Sequence, residues 1–292
     1  MTLYNQGWSY NGQDLNRLVH NIRLLSPAEE VPARRGDNLI IPGRTGRTYV
    51  YKPHDQRIIS LAMFVLANSD AYDSETGAGA PYDGYALSEV PGQVMVSTDT
   101  STSANYLQTN LNRLQKLFGT RGQHDLVRTL PDGTVLTISA EVRNTVQFQA
   151  ASDKFYNFIV EFTCAYPYWD GPADESATGS ISSSPTNVAI THSGTAETDD
   201  PTITIVGAIT NPRVTIGDVW VQYTGTVSAG ATLTINCDDY TADVDGSDVT
   251  SSITHSGDAR WLVVPAGAST AVVTGTSLSG ATINLTYRPR WF

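Results

Sequence analysis

Phe155-Tyr156-Asn157-Phe158-Ile159-Val160-Glu161-Phe162-Thr163 runs directly into Cys164-Ala165-Tyr166-Pro167-Tyr168-Trp169-Asp170-Gly171. The first nine residues mostly alternate apolar and polar side chains, the period of a half-buried strand. Pro167 has no amide to donate, so a ladder stops there or continues only along an edge. Tyr166, Tyr168 and Trp169 then supply large aromatic surfaces where charge and composition change. The passage reads as a boundary between two bodies, with a first domain over 1–171.

The totals agree with two domains. A chain of 292 residues is long enough for two cores, and 40% apolar with 16% charged residues describes globular protein rather than disorder. The net charge of −11 is uneven: residues 171–292 hold four Arg and no Lys against 12 Asp or Glu. No strongly basic segment supplies the counterion release that drives nucleic-acid binding, so stable binding to nucleic acid is not expected. Met1-Thr2-Leu3-Tyr4-Asn5-Gln6 leads into polar residues without the apolar run of a secretory signal. Nothing approaches the ~20 apolar residues of a membrane helix, so membrane insertion is not expected either. Cys164 and Cys237 fall one in each domain; geometry decides whether they could bridge, and two buried thiols are the simpler reading.

Within the first domain, Asn11-Gly12 is a hairpin signal, and Gln56 to Leu66 is an apolar strand long enough to cross a sheet. Residues 67–100, rich in Gly, Asp, Ser, Tyr and Pro, are too long for a tight connection and predict a functional or mobile loop. A helix follows over about 103–118. Thr102 or Ser103 caps it, Leu107, Leu111, Leu114, Leu117 and Phe118 form one apolar stripe, and Gly119 ends it. A stripe of that width is ordinary core, and a groove for a partner helix is the lesser reading. Asp125–Leu130 and Val135–Val142 flank Pro131-Asp132-Gly133 as a hairpin. One helix among many strands gives a β-rich α+β domain.

Residues 172–200, rich in Ser, Thr and Gly, predict a linker and edge segment. Over 201–292, short strands recur between turn signals at Thr202–Val206, Arg213–Ile216, Trp220–Tyr223, Thr232–Cys237, Trp261–Val264, Ala271–Thr274 and Ala281–Tyr287. That pattern, with no helical period, predicts a β-sandwich. Ile283, Leu285 and Tyr287 alternate with Asn284, Thr286 and Arg288, so the C-terminal segment reads as the last strand.

Signatures of chemistry are sparse. Asp243, Asp245 and Asp248, with Asp238 and Asp239, have the look of a hard-cation loop. The acidic residue that would complete an EF-hand is replaced by Ser252, however, and a solvated acidic turn is the stronger reading, with no metal or other cofactor expected. Asp199-Asp200 and Glu29-Glu30 are adjacent, and in a strand their side chains would face opposite ways, so neither makes a glycosidase acid pair. His20, His54, His124, His192 and His255 are isolated, without ligand spacing. There is no nucleophile elbow and no P-loop. No catalytic residue is expected. Trp220, Tyr223 and Tyr240 are the residues that could stack on sugar rings or meet a partner; aromatic residues on a sandwich also fill its core, the stronger reading for Trp261.

Three segments together carry a family resemblance: the junction at Phe155–Gly171, the turn Gly36-Asp37-Asn38-Leu39-Ile40-Ile41-Pro42-Gly43-Arg44-Thr45-Gly46, and the ending Trp261-Leu262-Val263-Val264-Pro265-Ala266-Gly267 with Ile283-Asn284-Leu285-Thr286-Tyr287-Arg288-Pro289-Arg290-Trp291. In this order they resemble the distal tail proteins of long-tailed phages, over nearly the whole chain. The resemblance implies a ring-forming first domain and a galectin-like or carbohydrate-module-like sandwich. It also implies a non-enzymatic virion protein: a homo-hexamer at the tail tip, bound to the tail tube protein, to the tail-tip hub or a tail-associated protein, and to the tape-measure protein. Such a protein resides in the host cytoplasm before assembly. The alternative is a carbohydrate-binding or receptor-binding tail module that recognises host surface glycans.

Overall fold

The computed structural model describes residues 7–15, 22–29, 31–37, 42, 45, 53–66, 100–152, 155–257 and 260–292. The chain separates by its contacts into two units, Met1–Pro167 and Tyr168–Phe292. The predicted loop 67–100, except its final residue, lies outside the described residues, as do most of the Gly36–Gly46 turn and Glu30.

The first unit contains strands β1 (Trp8–Tyr10), β2 (Gln13–Asp14), β3 (Ile22–Glu29), β4 (Arg57–Leu66), β5 (His124–Thr129), β6 (Val135–Val142), β7 (Gln149–Ala150) and β8 (Phe155–Cys164), with helix α1 (Thr100–Phe118) between β4 and β5. The strands run in the order β2-β1-β5-β6-β8-β4-β3, with β7 also on β8. All these pairings are antiparallel. The Asn11-Gly12 hairpin forms as expected, with φ of 49° and 73° in the left-handed region that its tight turn requires. Asp132 accepts the Thr134 amide at 2.9 Å and closes the β5–β6 turn. Helix α1 begins at Thr100, three residues before the predicted start; the proposed capping side chains lie outside the described residues.

The helix stripe is core: Leu107, Leu111, Leu114 and Phe118 are buried. The Phe118 ring lies 6.1 Å from Phe158 and 6.3 Å from Tyr10, which packs 4.8 Å from Phe162. On the helix side of β4, Ile59, Leu61, Met63 and Val65 are buried at alternate positions. Asn110 is a polar exception on α1; its amide nitrogen donates to the Leu66 carbonyl at 2.9 Å and satisfies the end of β4 inside the core.

The second unit contains β9 (Trp169–Asp170), β10 (Glu175–Ile181), β11 (Thr186–His192), β12 (Thr202–Ile216), β13 (Val219–Tyr223), β14 (Thr226–Val227), β15 (Thr232–Asn236), β16 (Thr241–Val244), β17 (Ser247–Asp248), β18 (Ile253–His255), β19 (Gly267–Tyr287) and β20 (Arg290–Trp291). Strands β10-β19-β12-β15-β16-β17 lie side by side; β11 pairs β19, β13 and β14 pair β12, and β18 pairs β13. One half of β19 therefore pairs β10 and the other half β11, while β12 divides in the same way between β15 and β13. Ile203, Ile205, Leu233, Ile283 and Leu285 from one layer join Val188, Ile190, Val214, Val221 and Val273 from the other in one buried core. This is a β-sandwich whose two longest strands serve both layers.

Three expectations change here. Residues 172–200, read as a linker with an edge strand, carry β10 at the end of the ladder and a second strand, β11, where linker was expected; their alternating buried Ala177, Ile181, Val188 and Ile190 are masked in sequence by Ser, Thr and Gly on the other face. The segments Thr202–Val206 and Arg213–Ile216 are one strand, as are Ala271–Thr274 and Ala281–Tyr287. Asn211-Pro212 does not end β12: the register shifts between Val206 and Arg213, and the strand bends through bulges. Gly207 stands at φ 103°, where a Cβ would lie 2.9 Å from the Gly280 carbonyl oxygen, so the crossing of β12 with β19 requires glycine. Finally, Trp261–Val264 is not a strand but a buried segment held by the Thr198–Val264 bridge.

Candidate functional site

The three aromatic residues singled out from sequence do not share a site. Tyr223 is 8% exposed and belongs to the sandwich core, with its ring against Gly225. Trp220 is half-buried on the outer face of β13, and the Arg213 guanidinium lies 4.0 Å from its ring centre, covering the face a sugar would use. Tyr240 is 44% exposed in the turn after β15. It stands edge-on to Trp261 at 5.5 Å, with His255 at 6.3 Å beyond, so the more open aromatic cluster is Tyr240–Trp261–His255.

The acidic loop has a structural use for its carboxylates. Asp243 accepts the Gly246 amide, Asp245 the Thr232 amide and Asp248 the Thr250 amide, each at 2.9 Å. Asp245 (φ 51°) and Gly246 (φ 79°) form the two-residue turn between β16 and β17. Among the described residues, no group of three His, Cys, Asp or Glu side chains is arranged to hold a metal ion. Cys164 and Cys237 are free and buried, and burial pushes each thiol up to about 12.

Two polar arrangements in the second unit were not legible in the sequence. Asp199 and Asp200 are not in a strand, and both take the nearly buried Arg290: Nη1 reaches Asp199 at 2.7 Å and Nη2 pairs with Asp200. The expectation that adjacent carboxylates diverge fails because the backbone there is not extended in a ladder. Burial raises the Asp200 carboxyl, against the opposing pull of Arg290.

His192, dismissed as isolated, is 2% exposed and stacked on Tyr287 at 5.6 Å. The Gly194 amide donates to its Nδ1 at 3.0 Å, so the proton sits on Nε2, which donates to Thr198 Oγ1 at 3.0 Å. The Thr198 hydroxyl passes the chain on to the Arg288 carbonyl at 2.7 Å. Burial lowers the His192 pKa, with Glu175 pulling the other way. These residues fasten the C-terminal segment, whose Arg290–Trp291 pairs with Trp169–Asp170.

The outer face of β10, β19 and β12 bears a groove of about 530 Å³ lined by Thr178, Ser180, Thr204, Val206, Thr282 and Asn284. Its outward-facing side chains are small, polar and uncharged apart from Val206, and the buried Ile283 lies beneath them.

No protein-family model matches the chain, and no curated protein does. Among solved structures it is similar to the crystal structure of SPP1 Dit (gp 19.1), described as a paradigm of hub adsorption apparatus in Gram-positive infecting phages. The identity is 14%, the match covers 97% of this chain and 98% of that one, and the TM-score is 0.58. Two structures of the phage p2 baseplate in its activated conformation, with Sr and with Ca, match at 8% identity over 96% of this chain and 97% of theirs. Their TM-scores, 0.37 and 0.38, are too low to support an argument. The chain has the mostly β, two-sheet fold of SPP1 Dit, and the resemblance to distal tail proteins holds at the level of fold.

Proposed function

We propose that this chain is a structural protein of a phage tail, a distal tail protein that closes into a hexameric ring between the tail tube and the tail-tip or baseplate hub. The observation that carries this reading is the likeness to SPP1 Dit over 97% of the chain, which takes in both units rather than one widespread sandwich. The role is assembly rather than catalysis, and the protein works in the virion after folding in the host cytoplasm.

The first unit has the surface such a role needs. Ile58 and Ile159 are 37% and 54% exposed, on the sheet face opposite the buried Ile59 and Val160. Ala62 pairs with both Ile159 and Ser26, and the exposed Leu25 stands at the bulge of β3 beside them. An antiparallel sheet normally turns polar residues to water on that face, and exposed apolar groups in a patch mark a contact surface. A neighbouring copy in a closed ring covers such groups on every subunit.

Immunogold labelling of intact virions that carry this chain tests the placement. Gold confined to the free end of the tail is expected. Label on the capsid, or none on purified particles, contradicts the proposal.

A further inference from the structure

We infer that the outer face around Arg213 and Trp220 is a docking site for an acidic side chain of a partner protein, with the Arg213 guanidinium receiving the carboxylate. The inference goes beyond ring closure and rests on the tail-tip reading only for where such a partner is met.

Strand register builds the site. Val214, Ile216, Val221 and Val273 point into the core, so the residues that alternate with them turn outward. Trp220 lies opposite Thr215, and Thr215 opposite Val272; in the next row Gln222 lies opposite Arg213, and Arg213 opposite Thr274. Arg213 and Trp220 are therefore diagonal neighbours on β12 and β13, a separation that long side chains span. None of these six residues is acidic, although residues 171–292 hold 12 Asp or Glu. The acidic residue nearest to them in sequence, Asp218, is exposed in the turn after β12.

Arg213 differs from the other arginines of the second unit. Arg260 pairs with Glu197, Arg288 with Asp174, and Arg290 with Asp170, Asp199 and Asp200. Among the described residues, no carboxylate pairs with Arg213; its guanidinium lies instead 4.0 Å from the Trp220 ring centre, a stacking distance. A guanidinium holds its five N–H donors in its own plane, so stacking consumes none of them and fixes the plane in which they are offered. The side chain is thus ordered before a ligand arrives, which removes much of the entropy cost of binding one.

The chemistry of the face selects the ligand. A carboxylate matches the guanidinium fork with two parallel hydrogen bonds. A cation meets Arg213 as a like charge, and a sugar ring finds the Trp220 face covered. Half-buried Trp220 and Val272 offer apolar surface beside the fork, so the fitting carboxylate is one with apolar neighbours, as on a protein, rather than a free ion. An Arg and a Trp at the centre of a patch without acidic residues have the composition of an interface core, and both residue types lead among binding hot spots. Elsewhere on the unit the surplus of carboxylates repels an acidic partner, while screening over about 8 Å in physiological salt leaves this face open to one.

The test uses the full chain labelled with fluorotryptophan, whose Trp220 resonance is assigned with Trp220→Phe and followed by fluorine NMR. The probe is the peptide acetyl-Leu-Glu-Leu-Glu-Leu-amide, with its Gln-for-Glu counterpart and inorganic phosphate as controls. Saturable displacement of the Trp220 resonance by the Glu peptide alone is expected. Arg213→Lys keeps the charge but loses the fork and the stack; it should weaken binding about tenfold, the loss of one charge-assisted hydrogen bond, with an unchanged melt. Arg213→Gln should abolish binding. No displacement, equal displacement by the Gln peptide, or wild-type affinity in Arg213→Lys overturns the inference. So does phosphate that binds as tightly as the Glu peptide, which would make the face a general anion site. The mass of each sample separates the two readings: a hexamer that ignores the Glu peptide refutes the dock alone, and a monomer that binds it refutes the ring alone.

Discussion

At the scale of single residues, the second unit depends on a neutral histidine. Nδ1 of His192 accepts a backbone amide, so a second proton on the ring must displace the Gly194 bond and break the chain through Thr198 to Arg288. Because burial lowers its pKa in the folded state, the unfolded chain binds a proton at higher pH than the folded one. Stability is then complete above the ordinary histidine range near pH 6.5 and declines as pH falls through that value toward the lower folded pKa. Asp170 and Asp200, whose carboxyls burial raises, act in the opposite sense. Comparison with His192→Gln isolates the ring from them. Melting curves from pH 8 to pH 5 should show a smaller loss in the variant than in the wild type, although the variant starts less stable. Parallel losses in both would assign the pH dependence to other groups.

At the scale of elements, β19 is the strand that both layers share, and Leu285 on it is fully buried in the sandwich core. Leu285→Ala leaves a cavity in a site flanked by β10 and β12, and urea unfolding should show a loss of about 2–5 kcal/mol. A loss below ~1 kcal/mol would mean that this half of β19 is not core. The hairpins at Asn11-Gly12, Pro131-Asp132-Gly133 and Asp245-Gly246 were legible because left-handed turn residues leave a local mark. The apolar stripe of α1 was legible for the same reason. The length of β12 was not. Asn211-Pro212 is a strong turn signal, and only the pairing partners on either side show that the strand bends there and continues. Only one of the two strands β10 and β11 was legible, because small residues can face solvent without advertising a strand. The site was less legible than the fold: His192 matters through a residue, Tyr287, that lies far along the chain.

At the scale of the whole molecule, two units with separate cores make distinct predictions. The fragment 168–292 contains every strand of the sandwich and both partners of the β9–β20 pair, so it should fold alone and melt in one cooperative transition. A fragment that is unfolded at neutral pH would show that the core of the second unit depends on the first. The larger claim is that the chain works as a closed ring, with Leu25, Ile58 and Ile159 of each first unit covered by a neighbour. Native mass spectrometry of the purified full chain at micromolar concentration, alone and with its tail-tip partners, tests that claim most directly. The account predicts a species of six 31.5 kDa chains, reduced to monomer by Ile159→Lys; a strict monomer in both samples contradicts it.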